Sequence, residues 1–156
     1  MQKLSILNTR EKKKIITSLK QAYGFSGRLK GNLLLSPRQE VFLLTGSSDI
    51  IKKGEEKQLR IDKVGLYLGR MVPEGIRLSI EATQLIGPSC SKRILVINDE
   101  QLKAWVKGQD LVIDDAARQG FFLVKHNNDF LGCAKIRNNK AHNLIATNRR
   151  IKTLNR

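Results

Sequence analysis

Gly120-Phe121-Phe122-Leu123-Val124-Lys125, His126-Asn127-Asn128-Asp129, Phe130-Leu131-Gly132-Cys133-Ala134-Lys135-Ile136-Arg137, Asn138-Asn139 and Lys140-Ala141-His142-Asn143-Leu144-Ile145 follow one another without interruption. Apolar and β-branched runs alternate here with Asn- and Asp-rich tetrads and dyads. That pattern predicts strands over 120–125, 130–137 and 141–145, joined by close turns at 126–129 and 138–139. Immediately upstream, Asp110 to Asp114 reads as another short strand, and Arg93 to Ile97, with Ile94-Leu95-Val96-Ile97, as a buried one. Between them, Asn98 caps a helix from Asp99 to Lys107, with acidic Asp99 and Glu100 in its first turn and Gly108 just past its end. Several short strands with close turns and one helix define a small, closed or half-closed β-barrel.

The first half reads differently. Thr9 to Tyr23 is a helix with Thr9 as its cap. Ile15, Ile16, Leu19 and Ala22 recur at spacings of three and four, Lys12, Lys13, Lys14 and Lys20 lie largely off that stripe, and Gly24 stops it. Asn32 to Ser36 and Glu40 to Leu44 flank the turn Pro37-Arg38-Gln39 as a hairpin. Ser47 to Glu56 is a loop or a short polar helix. Leu59 to Met71 is a strand ending at Pro73-Glu74-Gly75, Ile76 to Ser79 reads as another strand, and Ser79 to Leu85 as a helix ending at Gly87-Pro88. The fold class expected is α+β: an N-terminal mixed α/β domain with a small antiparallel sheet over 1–89, then a C-terminal β-pseudobarrel over 92–156, with the boundary near Pro88 to Lys92.

Composition narrows the class. The 156 residues are 40% hydrophobic, enough to bury a core and to exclude a disordered basic tail. No apolar run approaches the roughly 18 residues of a membrane span, so no membrane partner is expected. Lys12-Lys13-Lys14 interrupts any signal-peptide core in the first twenty residues. Two cysteines make no disulfide framework and fit a reducing, cytoplasmic setting. Collagen, coiled coil and secreted knot are excluded with them.

Charge points to a polyanion. Twenty-nine Lys and Arg stand against 14 Asp and Glu, a net +15, which suits nucleic acid, an anionic membrane surface or acidic proteins. From Phe130 to Arg156 there is no acidic residue, while Lys135, Arg137, Lys140, Arg149, Arg150, Lys152 and Arg156 fall in the same stretch. Pairing within the chain is not expected to account for such a run. It reads as a phosphate-binding surface, set against the plainer reading of a solvated basic face. Seven phosphate contacts on a single strand would give a log K against log salt slope of about −5.

Catalytic patterns are missing from the string. There is no Gly-x-x-x-x-Gly-Lys-Ser/Thr loop, no Gly-x-Gly-x-x-Gly after a strand and no Gly-x-Ser-x-Gly elbow. Cys90, His126, Cys133 and His142 lack the tight pair spacing of a structural zinc site, so no metal is expected. Cys133 between Gly132 and Ala134 reads as a packed thiol rather than a nucleophile, and Asp114-Asp115 as a turn rather than a carboxylate dyad. Gly65 and Gly69 mark bulges or close packing. Tyr23, Phe25, Phe42, Tyr67, Trp105, Phe121, Phe122 and Phe130 all occupy apolar-pattern positions and are expected in the core. No exposed aromatic platform is expected, which leaves binding to phosphate contacts and backbone geometry.

These residues resemble a PUA domain, the RNA-binding pseudobarrel of pseudouridine synthases and archaeosine transglycosylases. The resemblance runs from Ile94-Leu95-Val96-Ile97 through Lys107-Gly108-Gln109-Asp110-Leu111, Gly120 to Val124 and Asp129 to Lys135 to His142-Asn143-Leu144 and Arg149-Arg150-Ile151-Lys152, roughly Lys92 to Arg156. Lys63 to Arg70 and Leu78 to Ala82 resemble the segment before the PUA domain in two groups. One is the Nip-seven family of pre-rRNA-processing factors, stand-alone proteins of this size. The other is the C-terminal extension of Fmu/Sun-type rRNA cytosine-5 methyltransferases, which Tyr23-Gly24, Gly31 and Asn143-Leu144 also resemble; its cofactor loop and catalytic Pro-Cys motif are not in this sequence. The resemblance implies basic RNA-contacting residues near the PUA C-terminus, where Arg149, Arg150, Lys152 and Arg156 stand.

The function expected is therefore non-catalytic RNA binding in rRNA processing, ribosome biogenesis or RNA modification. The RNA would be rRNA or tRNA, no cofactor would be used, and a pre-ribosomal or RNA-modification protein complex is the expected company. Two other readings are a stand-alone RNA-binding subunit of an RNA cytosine-5 methyltransferase and a basic ribosome-associated structural protein.

Overall fold

Asn8, not Thr9, opens the first helix. Its side-chain oxygen accepts the Glu11 N–H at 2.9 Å while the Glu11 carboxylate accepts the Asn8 N–H at 2.8 Å, a reciprocal pair that Thr9 one residue on could not make. In the computed structural model, which describes residues 3–57 and 64–152, this helix α1 spans Thr9–Tyr23 and buries Ile15, Leu19 and Tyr23. It closes where the Gly24 N–H reaches the Lys20 carbonyl at 2.9 Å.

Beneath α1 lies a five-stranded antiparallel sheet in the order β1 (Ser5–Ile6), β2 (Asn32–Leu35), β3 (Glu40–Leu44), β4 (Leu66–Val72) and β5 (Gly75–Leu78). Alternation splits its side chains between two layers. Leu33, Val41, Leu43, Leu68 and Ile76 pack with α1, and Leu34 and Phe42 pack with Leu4 and Ile51 on the other face. Ile51 belongs to α2 (Asp49–Glu56), so the polar stretch after β3 is a helix rather than a loop. The strand expected from Leu59 begins, among the described residues, at Leu66; Leu59 and Ile61 lie outside them. Register shifts between Val41 and Phe42 opposite β4. A Cβ on Gly65 or Gly69 would run into the carbonyls of Leu43 and Arg77, the close packing expected there.

Ser79 caps α3 (Ile80–Ile86) by accepting the Ala82 N–H at 3.1 Å, and a 3-10 turn at Gly87–Ser89 leads into the second half. That half is a second five-stranded sheet, curled into a half-barrel, in the order β6 (Ile94–Val96), β8 (Gly120–His126), β9 (Asp129–Arg137), β10 (Lys140–Asn143) and β7 (Leu111–Val112). Its pairs are antiparallel except β6 with β8. Trp105 of α4 (Asp99–Val106) fills the inside, fully buried among Leu95, Leu111, Phe122, Ala134, Ile136 and Ala141, with its indole N–H donating to the Leu131 carbonyl at 2.9 Å.

Two expectations change here. The strand expected over 93–97 spans Ile94–Val96 and is not buried throughout: β6 is the sheet edge and Val96 is 68% exposed, because only one of its faces meets the barrel interior. β10 ends at Asn143 rather than Ile145, because the Asn143 side-chain oxygen takes the Ile145 N–H at 2.9 Å and its amide donates to the carbonyls of Trp105 and Gln109.

The outer face of the second sheet is apolar where it meets the first half. Phe121, Leu123, Phe130 and Cys133 share one core with Ile15, Leu19, Tyr23, Leu78 and Ile86. Polar groups inside this layer are matched: the Tyr23 hydroxyl donates to the Ile76 carbonyl at 2.7 Å, and the Thr83 hydroxyl accepts the Gly132 N–H at 3.0 Å. Among the described residues no helix is long and apolar enough to cross a membrane.

Candidate nucleic-acid interface

Strand alternation decides where the basic run points. On β9, Ala134 and Ile136 face the barrel interior, so Lys135 and Arg137 project to the other side. Lys135 lies opposite Phe121 on β8 and His142 on β10, and Arg137 lies opposite Lys140. Asn138 and Asn139 close this hairpin with φ of 53° and 58°, a left-handed pair that Asn tolerates. Arg137 and Lys140 therefore flank a protruding tip. Both are exposed, and neither makes an ion pair among the described residues. Lys140 is also opposite Val112, which is 80% exposed.

Lys135 is engaged. Its ammonium donates to the Glu74 carboxylate at 2.9 Å and sits 5.6 Å from the Phe121 ring centre. The hydrogen bond from Lys135 holds the Glu74 carboxyl below the usual carboxylate range. Arg149, in the 3-10 turn Thr147–Arg149, pairs with Glu81 of α3. Arg150 folds back across Gly108, where φ is +88° and a Cβ would strike the guanidinium stem, and its Nε donates to the Ile145 carbonyl at 3.1 Å. The chain then crosses the end of α4, with the Ile151 N–H on the Val106 carbonyl at 2.8 Å, which leaves Lys152 exposed. Arg156 lies outside the described residues.

The seven residues thus do not form one uncompensated set. Arg137 and Lys140 stand at the hairpin tip, and Arg150 and Lys152 near the end of α4. Lys135 and Arg149 pair with Glu74 and Glu81, so pairing within the chain, which was not expected to account for the run, does account for two of its seven cations. Those carboxylates precede the run by more than fifty residues in sequence and reach it only through the shared core.

Two features were not singled out from the sequence. First, the excess charge is not confined to the C-terminal half: residues 1–91 hold 16 Lys and Arg against 8 Asp and Glu, and residues 92–156 hold 13 against 6. Arg10, Lys13, Lys14 and Lys20 all lie exposed on α1. Second, Tyr67 is 38% exposed, so not every aromatic is in the core. It sits 5.4 Å from Phe42, the rings tilted by 49°. Burial, then Glu40, raises the pKa of its phenol above the ordinary value, so the ring is neutral at physiological pH. The alternation Leu66-Tyr67-Leu68, with Leu68 in the core, is the signal that sends Tyr67 to the other face.

The thiols are unactivated. Cys133 is buried and packed 3.8 Å from the Tyr23 hydroxyl, and burial raises its pKa; the same cause pushes Cys90 up to about 11. No cluster of three or more His, Cys, Asp or Glu among the described residues could hold a metal ion.

This half-barrel with its basic rim has a counterpart among known families: residues 92–151 match the family model described as the methyltransferase RsmF PUA domain. The resemblance to a PUA domain drawn from residues 92–156, and to the PUA extension of an rRNA methyltransferase drawn with the preceding segments, is borne out. Among curated proteins, the chain is 32% identical over 87 residues to Ribosomal RNA small subunit methyltransferase F of Shewanella oneidensis, an alignment covering 55% of this chain and 18% of that protein. The chain spans less than a fifth of this relative's length.

Proposed function

We propose that this chain is a non-catalytic RNA-binding protein that serves rRNA modification or ribosome biogenesis in the cytoplasm. The match of residues 92–151 to the PUA domain of an rRNA methyltransferase carries the reading. Residues 92–156 form the RNA-binding unit, with 1–89 packed against it. Arg137, Lys140, Arg150 and Lys152 supply phosphate contacts, and Lys135 and Arg149 join them by exchanging a carboxylate for a phosphate. The RNA is rRNA or tRNA. The likeness to a methyltransferase whose name specifies small-subunit rRNA favours rRNA, and it also supports a second reading, a binding subunit that works beside an rRNA methyltransferase.

The test is a titration of fluorescein-labelled small-subunit rRNA hairpins followed by anisotropy, run beside an assay for methyl transfer from labelled S-adenosylmethionine. We expect salt-dependent binding and no methylation by the purified chain. No binding at about 50 mM salt, where phosphate contacts are strong, overturns RNA binding; methylation by the chain alone overturns the non-catalytic assignment.

A further inference from the structure

A cleft of about 310 Å³ opens where the two halves meet. Tyr67 of β4, Arg77 of β5 and Glu81 of α3 line it from the first half; Cys133 of β9, Asn148 and Arg149 line it from the second. Its volume lies at the lower end of small-ligand sites, of the order of 300 Å³ and above. Three observations define its chemistry. Tyr67 offers a half-exposed ring, backed by Phe42 at 5.4 Å. Arg77 is exposed and makes no ion pair among the described residues, and the Arg70 directly opposite it in the sheet adds to the positive potential there. Arg70 already has its carboxylate, Glu40, at 3.1 Å. Across the cleft, Arg149 is held by Glu81 in a pair whose side chains are 46% and 35% exposed, so an incoming phosphate competes with a weak, solvated contact.

A planar apolar surface beside two guanidinium groups is what a nucleotide needs: a π-face for the base and bidentate donors for the phosphate. We infer that this cleft takes one unstacked nucleotide of a single-stranded RNA segment, its base on the Tyr67 ring and its phosphate at Arg77 and Arg149. This rests on the RNA-binding reading above and deepens it. The RNA site then spans both halves of the chain, and the first half supplies the stacking surface that the half-barrel lacks. Glu81 keeps the Arg149 guanidinium at the cleft while RNA is absent.

The experiment uses the full chain and a fluorescein-labelled oligouridylate, with affinity read by anisotropy over a series of salt concentrations. Tyr67→Ala is expected to weaken binding about tenfold with the salt slope unchanged, since stacking of one base is sequence-tolerant and uncharged. Tyr67→Phe keeps the ring and should bind as the wild type does. Arg77→Gln should weaken binding and reduce the slope by about 0.7. Replacing one uridine by 4-thiouridine and irradiating should crosslink the RNA to the peptide that contains Tyr67. If the wild type binds while Tyr67→Ala and Arg77→Gln bind equally well, the cleft is not part of the site and the RNA-binding reading survives without it. If the wild type binds neither this RNA nor the rRNA hairpins, both fall. Should Tyr67→Ala unfold, the exposed Arg77→Gln and the crosslink decide.

Discussion

Replacing Arg137, Lys140 and Lys152 together by Ala separates the cations that are free from those already neutralised. All three are exposed and make no ion pair among the described residues. Each phosphate they neutralise releases condensed counterion, about 0.7 per contact on a single strand, so the triple variant should lose about 2 from the slope of log K against log salt. Lys135→Ala is the contrast. Its ammonium is held by Glu74 at 2.9 Å, so a phosphate that takes Lys135 leaves a carboxylate to be re-solvated, and the net ion release is small. Its removal should leave the slope nearly unchanged. Charge counting alone, with seven equivalent residues, would assign the whole run about −5. The assay is anisotropy of a labelled single-stranded RNA from about 50 to about 300 mM KCl, the range in which such slopes are linear. Exposed substitutions of this kind change stability by no more than about 0.5 kcal/mol, so unfolding will not confuse the result. A slope unmoved by the triple substitution, or lowered as much by Lys135→Ala alone as by the three together, would refute the reasoning.

Gly87→Ala tests the joint between the halves. The added Cβ would lie 2.5–2.7 Å from the Phe130 ring, which is buried in the shared core, so overpacking should cost about 1–3 kcal/mol and lower the urea midpoint; an unchanged midpoint means the joint yields freely. The thiols provide a pH test. With Cys90 pushed up to about 11 by burial, only about one molecule in a thousand carries its thiolate at pH 8. Its reaction with a disulfide reagent should be slow and accelerate about tenfold per pH unit, and Cys133 should react only on unfolding. Rapid modification of both at pH 8 would contradict the packing described here.

Much of the fold is written in short-range patterns. The Asn and Asp turns at 126–129 and 138–139, the apolar stripe of α1 and the capped helix at 98–106 all act between neighbours in the chain, and each appears where periodicity and turn chemistry place it. The first cap lies one residue earlier than expected for a local reason, the Asn8–Glu11 pair, but two other boundaries move because a distant group intervenes. β10 stops at Asn143 because that side chain reaches Trp105 and Gln109, and β6 is half-exposed because it came to lie at a sheet edge.

The interface divides along the same line. Net charge, the acid-free stretch from Phe130 onward and the likeness to a PUA domain are properties of the string, independent of how it packs. Which cations remain available is not, because an ion pair needs its charges within about 4 Å in space, whatever their distance in sequence. Glu74 and Glu81 meet Lys135 and Arg149 only once Phe121, Leu123, Phe130 and Cys133 have docked on α1, β5 and α3. The same docking sets Tyr67 and Arg77 of one hairpin across a cleft from Arg149, about seventy residues further on, which neither stretch could announce on its own.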